Sequence, residues 1–154
     1  MLIDKFFIIG LPRSRTYWLS QFFGCLHEGV YHYPDYRDFL KSDHTGDSTT
    51  CYLQIKDLIK DERKVIIHRD IKDVGDSLVE LFGKFDCSFL KDIEKELLEE
   101  DGLHVQFDDI SSRLEEIWDY CRSDEFPKEK ALKMDDVIME NHFLIGEVKK
   151  LVIL

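Results

Sequence analysis

Two short stretches of the chain gather residue types that hold an anion. In Gly10-Leu11-Pro12-Arg13-Ser14-Arg15-Thr16-Tyr17, two guanidinium groups and two hydroxyls occupy four consecutive positions. In the second stretch, Arg69 is followed eight positions later by Ser77. Guanidinium and hydroxyl donors make charge-assisted hydrogen bonds to phosphate or sulfate oxygens. A third stretch, Leu26-His27-Glu28-Gly29, sets an imidazole beside a carboxylate, two groups able to take a proton.

The elements needed to position these residues are legible around them. Phe6-Phe7-Ile8-Ile9 is an apolar run of strand length, and a helix from Thr16 to about Cys25 follows the loop, ending near Gly24. Strand, loop and helix in that order place free backbone N–H groups and the positive end of a helix dipole at one point. Lys64 to His68 reads as a second buried strand, with His68 facing the core. It leads through Arg69 and Asp70 into a helix whose apolar positions are Val74, Leu78, Leu81 and Phe82. Leu103 to Phe107 is a third strand, followed by a helix from about Ser112 to Cys121 with Leu114, Ile117 and Trp118 inward. Between them, Phe85 to Glu100 reads as an acidic amphipathic helix with Phe89, Leu90, Ile93, Leu97 and Leu98 inward.

Less apolar stretches read less sharply. Asp43 to Thr50 is a polar loop in which Asp47 or Ser48 caps a helix over about Thr50 to Asp61. The aromatic run Val30 to Phe39 serves equally as an acceptor-binding wall or as packing. Arg15 reads equally as a ligand contact or as a solvated residue at a helix start, and Glu28 as a base or a solvated turn residue. Pro127 opens a last helical stretch, and Phe143, Leu144, Val148, Leu151 and Ile153 are its expected buried residues.

Composition narrows the function classes. The 154 residues suit one domain spanning 1–154, and 44% hydrophobic with 34% charged residues is an ordinary globular balance. A net charge of −11 argues against a nucleic-acid surface. No apolar run reaches membrane-spanning length, and Met1 to Lys5 is no signal peptide. Cys25, Cys51, Cys87 and Cys121 form no C-x-x-C pair, so reduced thiols in a cytoplasmic setting are expected. No His, Asp and Glu grouping has metal-ligand spacing. Alternating strands and helices predict an α/β fold of three layers, with a mainly parallel sheet and the ligand at the carboxyl ends of its strands.

The Walker A pattern fails here. Counting from Gly10, Arg15 stands at its second glycine, Thr16 at its lysine and Tyr17 at its hydroxyl position. GLPRSRTYWL instead resembles the 5′-phosphosulfate loop of the P-loop sulfotransferases, with Arg15 in place of the loop glycine and Tyr17 in place of a second threonine. Arg69 and Ser77 resemble that family's 3′-phosphate motif, with Asp73 at its acidic position and Ile71 where it has proline. Val105-Gln106-Phe107-Asp108-Asp109-Ile110 is similar to its late strand–helix segment, Asp108 standing for a glutamate.

The resemblance implies a P-loop nucleotide-binding fold that binds 3′-phosphoadenosine 5′-phosphosulfate (PAPS) and releases adenosine 3′,5′-bisphosphate (PAP). It implies sulfuryl transfer to a hydroxyl or amine on a small molecule or glycan, without a metal. Arg13, Ser14, Arg15, Thr16, Tyr17, Arg69 and Ser77 would hold the nucleotide. Arg13 would also touch the sulfuryl oxygens and stabilise the departing oxyanion, and Glu28 would be the base with His27 second; His32 and His44 stay open. Members of the family are usually longer, so a homodimer completing each acceptor site is one arrangement open to this chain. Two other functions remain open: a non-catalytic nucleotide-binding module, and a small P-loop phosphotransferase or NTPase.

Overall fold

A computed structural model describes residues 4–84 and 86–138. Contacts divide the chain into two compact units, Met1–Asp124 and Glu125–Leu154. The first contains five parallel strands: β1 (Phe6–Gly10), β2 (Leu26–His27), β3 (Gly46–Thr49), β4 (Arg63–His68) and β5 (Leu103–Gln106). Their order across the sheet is β2-β3-β1-β4-β5. Phe6 pairs with Gly46 on one side and Arg63 on the other, so β1 is central and fully covered. Such strands are buried on both faces and read as continuous apolar runs, which FFIIG does.

Helices cover both faces. Phe6 meets Phe23 of α1 (Thr16–Phe23), ring centres 5.5 Å apart, and Phe22 and Phe23 in turn pack on Trp118 of α6 (Leu114–Cys121). The alternate residues Phe7 and Ile9 join a second core with Phe39 of α2 (Tyr36–Lys41) and Tyr52 of α3 (Tyr52–Ile55). Val74 and Leu78 of α4 (Ile71–Phe82) and Leu90 and Leu97 of α5 (Leu90–Glu99) complete it. The second unit contains α7 (Lys128–Ile138), whose first turn closes from the Ala131 N–H to the Pro127 carbonyl at 3.0 Å. The expected apolar residues from Phe143 onward lie outside the described residues, as does Phe85.

Several boundaries differ from expectation for physical reasons. Gly46–Thr49 is a strand and not part of a polar loop, because each polar side chain finds a partner when buried. Asp47 accepts from the Gly29 and Val30 N–H groups at 3.0 and 2.9 Å, so it pins the turn after β2 and caps no helix. Ser48 Oγ donates to the Thr16 carbonyl at 2.6 Å. Burial pushes the Asp47 carboxyl above its usual range despite those two N–H bonds. Helix α3 stops at Ile55, short of the expected Asp61, and α5 begins only at Leu90, with Phe89 and Leu98 exposed. Strand β5 stops at Gln106, and Phe107 opens a 3-10 turn. His68 is half-buried rather than in the core, its ring stacked 4.9 Å from that of His104. Tyr33 and Tyr36 of the aromatic run pack on buried Phe39, at 5.5 and 6.0 Å.

Candidate functional site

Because all five strands run the same way, everything that follows a strand lies along one edge of the sheet. That edge carries His27 at the end of β2 and Glu28 after it, Thr49 and Thr50 at the end of β3, and the 11–15 loop after β1. Arg69 follows β4 and Phe107 follows β5. Strands β1 and β4 are neighbours, which places the two arginine-bearing stretches side by side.

The 11–15 loop turns sharply after β1. Gly10 approaches the Ile67 carbonyl so closely that an added Cβ would lie 3.2 Å from its oxygen. Arg13 (φ 65°) and Arg15 (φ 64°) then take the left-handed conformation on either side of Ser14. Turns of this kind form anion-binding concavities. Arg15 is also the N-cap of α1 and makes no side-chain capping bond. Ser14 is fully buried, and its Oγ has no hydrogen-bond partner. An unpaired buried hydroxyl is uncommon and calls for a missing acceptor or donor. Thr16 is buried in the first turn, and half-buried Tyr17 sets its ring edge-on to His27 at 5.3 Å.

The second stretch locks onto this loop. Arg13 Nε donates to Ser77 Oγ at 2.8 Å, and the Arg69 guanidinium donates to the Arg13 carbonyl. Asp70 caps α4 by accepting from the Lys72 N–H at 2.9 Å, so Arg69 is directed at the loop and not paired with its neighbour. Burial lowers the Arg13 pKa, and the positive charge of Arg69 lowers it further. An arginine stays charged under such pressure. The Arg69 and Arg15 guanidinium carbons lie 4.1 and 4.7 Å from the centre of the Phe107 ring. Arg13, Arg15, Arg69 and Ser77 therefore converge, although the two arginine stretches are more than fifty residues apart in sequence.

Glu28 and His27 sit on the same edge but are engaged differently. Glu28 (φ 52°) accepts from Thr49 Oγ1 at 2.6 Å, from the Thr50 N–H at 2.7 Å and from Thr50 Oγ1 at 2.8 Å. Burial raises its pKa, but these bonds and the Cys51 thiol together outweigh burial, and the net shift is downward. A carboxylate so well satisfied is a weak base. His27 Nδ1 lies 3.0 Å from the Ser48 carbonyl oxygen. A carbonyl only accepts, so Nδ1 carries the proton and Nε2 holds the lone pair in the neutral ring.

Among the described residues, no group of three or more His, Cys, Asp or Glu side chains is placed to hold a metal ion. Three participants carry no functional signal of their own in the sequence: Thr49 and Thr50 fall in a stretch that reads as a polar loop, and Phe107 in one that reads as a strand. An aromatic residue just past a strand at the carboxyl edge, in a chain with three arginines due there, was the available signal.

The five-stranded parallel α/β fold is similar to that of a known sulfotransferase. The mouse sulfotransferase SULT7A1, solved in complex with PAP, has a similar structure: the TM-score is 0.54 at 14% sequence identity. The similarity covers 85% of this chain and 63% of that one, so this chain spans less than two thirds of its neighbour's length. No family model and no curated protein matches the sequence. No described helix is long and apolar enough to cross a membrane.

Proposed function

We propose that this chain binds PAPS through the P-loop-like 11–15 segment and moves its sulfuryl group to a hydroxyl or amine acceptor, a small molecule or glycan. The observation that carries the reading is the convergence of Arg13, Arg69 and Ser77, two anion-binding stretches joined by the 2.8 Å bond from Arg13 to Ser77. The orphan Ser14 hydroxyl and the uncapped start of α1 fit a phosphate-type group at the loop. PAP in the similar mouse structure supports the same ligand class. When bound, PAPS would supply an activated sulfuryl group on a good leaving anion. Arg13, oriented by Ser77, would stabilise the oxyanion that departs, and Ser14, Arg15, Thr16 and Tyr17 would line the loop side. Arg69 with Ser77 would hold the 3′-phosphate. Proton removal from the acceptor falls to Glu28 if it releases a threonine, or to His27 through Nε2. The free thiols fit a cytoplasmic setting.

The engaged state of Glu28 favours a second reading, a module that binds the nucleotide without transferring sulfate. Calorimetry of PAP against ADP, without metal, on wild type and Arg69→Ala tests the binding common to both. PAP should be preferred, and losing a charged hydrogen-bond donor should cost about tenfold to a hundredfold in affinity. Equal affinity for the two ligands, or ADP binding that requires Mg²⁺, would instead indicate a phosphotransferase. PAP release from PAPS then separates enzyme from binding module.

A further inference from the structure

We propose that Phe107 is a positioning residue of this site: its ring holds both the Arg15 and Arg69 guanidinium groups so that both serve one bisphosphorylated ligand. The inference rests on the nucleotide reading above. Both guanidinium carbons lie close to one ring centre, 4.7 Å for Arg15 and 4.1 Å for Arg69, so they are within about 9 Å of each other, a separation favoured by cation–π attraction to the shared ring. Two like charges at that range repel, and Arg13 adds a third beside Arg69. An aromatic ring relieves this without competing for the ligand. Stacking uses the face of a guanidinium and leaves its N–H donors pointing outward at the rim. A carboxylate partner would consume those donors. Of the Arg69 donors, one is spent on the Arg13 carbonyl, which ties the seat to the loop.

The ring is well placed to act as a fixed support. Phe107 follows the last residue of β5 directly and opens the 3-10 turn Phe107–Asp109. The turn closes from the Ile110 N–H to the Phe107 carbonyl, and Ile110 is fully buried, so the backbone beneath the ring is anchored. The ring itself is only half-buried, which makes core packing an incomplete account of it. Arg15 supplies the complementary observation. It holds a left-handed backbone at the helix start and makes no side-chain cap there, while its side chain reaches Phe107. The orphaned, fully buried Ser14 hydroxyl between Arg13 and Arg15 independently indicates a ligand at this loop.

The test is a double-mutant cycle read by PAP calorimetry, using wild type, Phe107→Leu, Arg69→Ala and the double variant, with Phe107→Trp as the conservative change. Phe107→Leu should weaken PAP binding about tenfold, Phe107→Trp should retain it, and the double variant should lose less than the sum of the two single losses, since only the Arg15 seat is left to lose once Arg69 is gone. Upfield ring-current shifts of the Arg15 and Arg69 Nε–H protons should disappear in Phe107→Leu, which reports stacking without any ligand. PAP affinity unchanged in Phe107→Leu, or guanidinium signals that do not move, would overturn the inference and leave the nucleotide reading standing. Additive losses in the double variant would also overturn it, since Phe107 would then act on the fold or on the nucleotide directly. Failure of the wild type to bind PAP would sink the nucleotide reading and this inference together.

Discussion

Residue 15 offers a sharp test of the loop geometry. At φ 64°, a side chain with a Cβ pays a left-handed penalty of about 1–2 kcal/mol that glycine does not. Arg15 recovers about 0.5–1 kcal/mol by stacking on Phe107. Arg15→Ala loses the stacking and keeps the penalty, so it should be less stable than wild type. Arg15→Gly loses the stacking and the penalty but gains unfolded-state entropy of about 0.4–1 kcal/mol, and should fall near wild type. The expected order is wild type close to glycine, with alanine lowest by about 0.5–1 kcal/mol. Urea unfolding followed by tryptophan fluorescence reads this directly, because Trp18 and Trp118 are both buried in the same unit. Midpoints should shift while the urea slopes stay equal. Alanine as stable as glycine would refute a left-handed residue 15, and with it the paired left-handed turns of the 11–15 loop.

Other expectations follow from the same geometry. Glu28→Gln should destabilise by about 1–3 kcal/mol at pH 7, because a charged acceptor of three hydrogen bonds is lost. The folded Glu28 pKa lies below its unfolded value, so this stability is fully present above the ordinary glutamate value and disappears as pH falls through the folded pKa. The wild-type advantage over Glu28→Gln should therefore shrink in acid, and a difference independent of pH would show that the carboxylate is not held as described. Gly46→Ala would place a Cβ 2.1 Å from the Phe6 carbonyl oxygen of the central strand. The sheet must spread to accept it, at about 3 kcal/mol or more, visible as a lowered unfolding midpoint; a neutral effect would contradict the β1–β3 register.

What was legible in the sequence was what apolar patterning reveals. Strands β1, β4 and β5 are short runs of apolar and β-branched residues, and Gly24 marks the end of α1 with a left-handed cap. The arginine stretches were legible because loop chemistry after a strand has few other uses. Strand β3 was not, since Gly46-Asp47-Ser48-Thr49 has no apolar residue and its burial depends on partners far away in sequence, Thr16, Glu28, Gly29 and Val30. Glu28 stands out as a proton acceptor only through the resemblance of Leu26-His27-Glu28-Gly29 to a sulfotransferase stretch, and the threonines that engage it are invisible until β3 is placed beside β2. Phe107 illustrates the same limit: its type was plain, but its contact with two arginines depends on how β5 stands beside β4.

The parallel order of the sheet has a consequence during synthesis. Strand β1 leaves the ribosome about 40 residues before its β3 partner and 57 before its β4 partner, so FFIIG waits unpaired and sticky while they are made. Lys5 on one flank and Arg13 and Arg15 on the other stand where charged residues oppose association of such a segment. The guard at Lys5 is later withdrawn from solvent: in the finished protein its ammonium sits on the Ser42 carbonyl at 2.7 Å and over the Phe39 ring at 5.1 Å. The charge that flanks the strand in the growing chain thus becomes, once folded, the tie between the start of β1 and the end of α2.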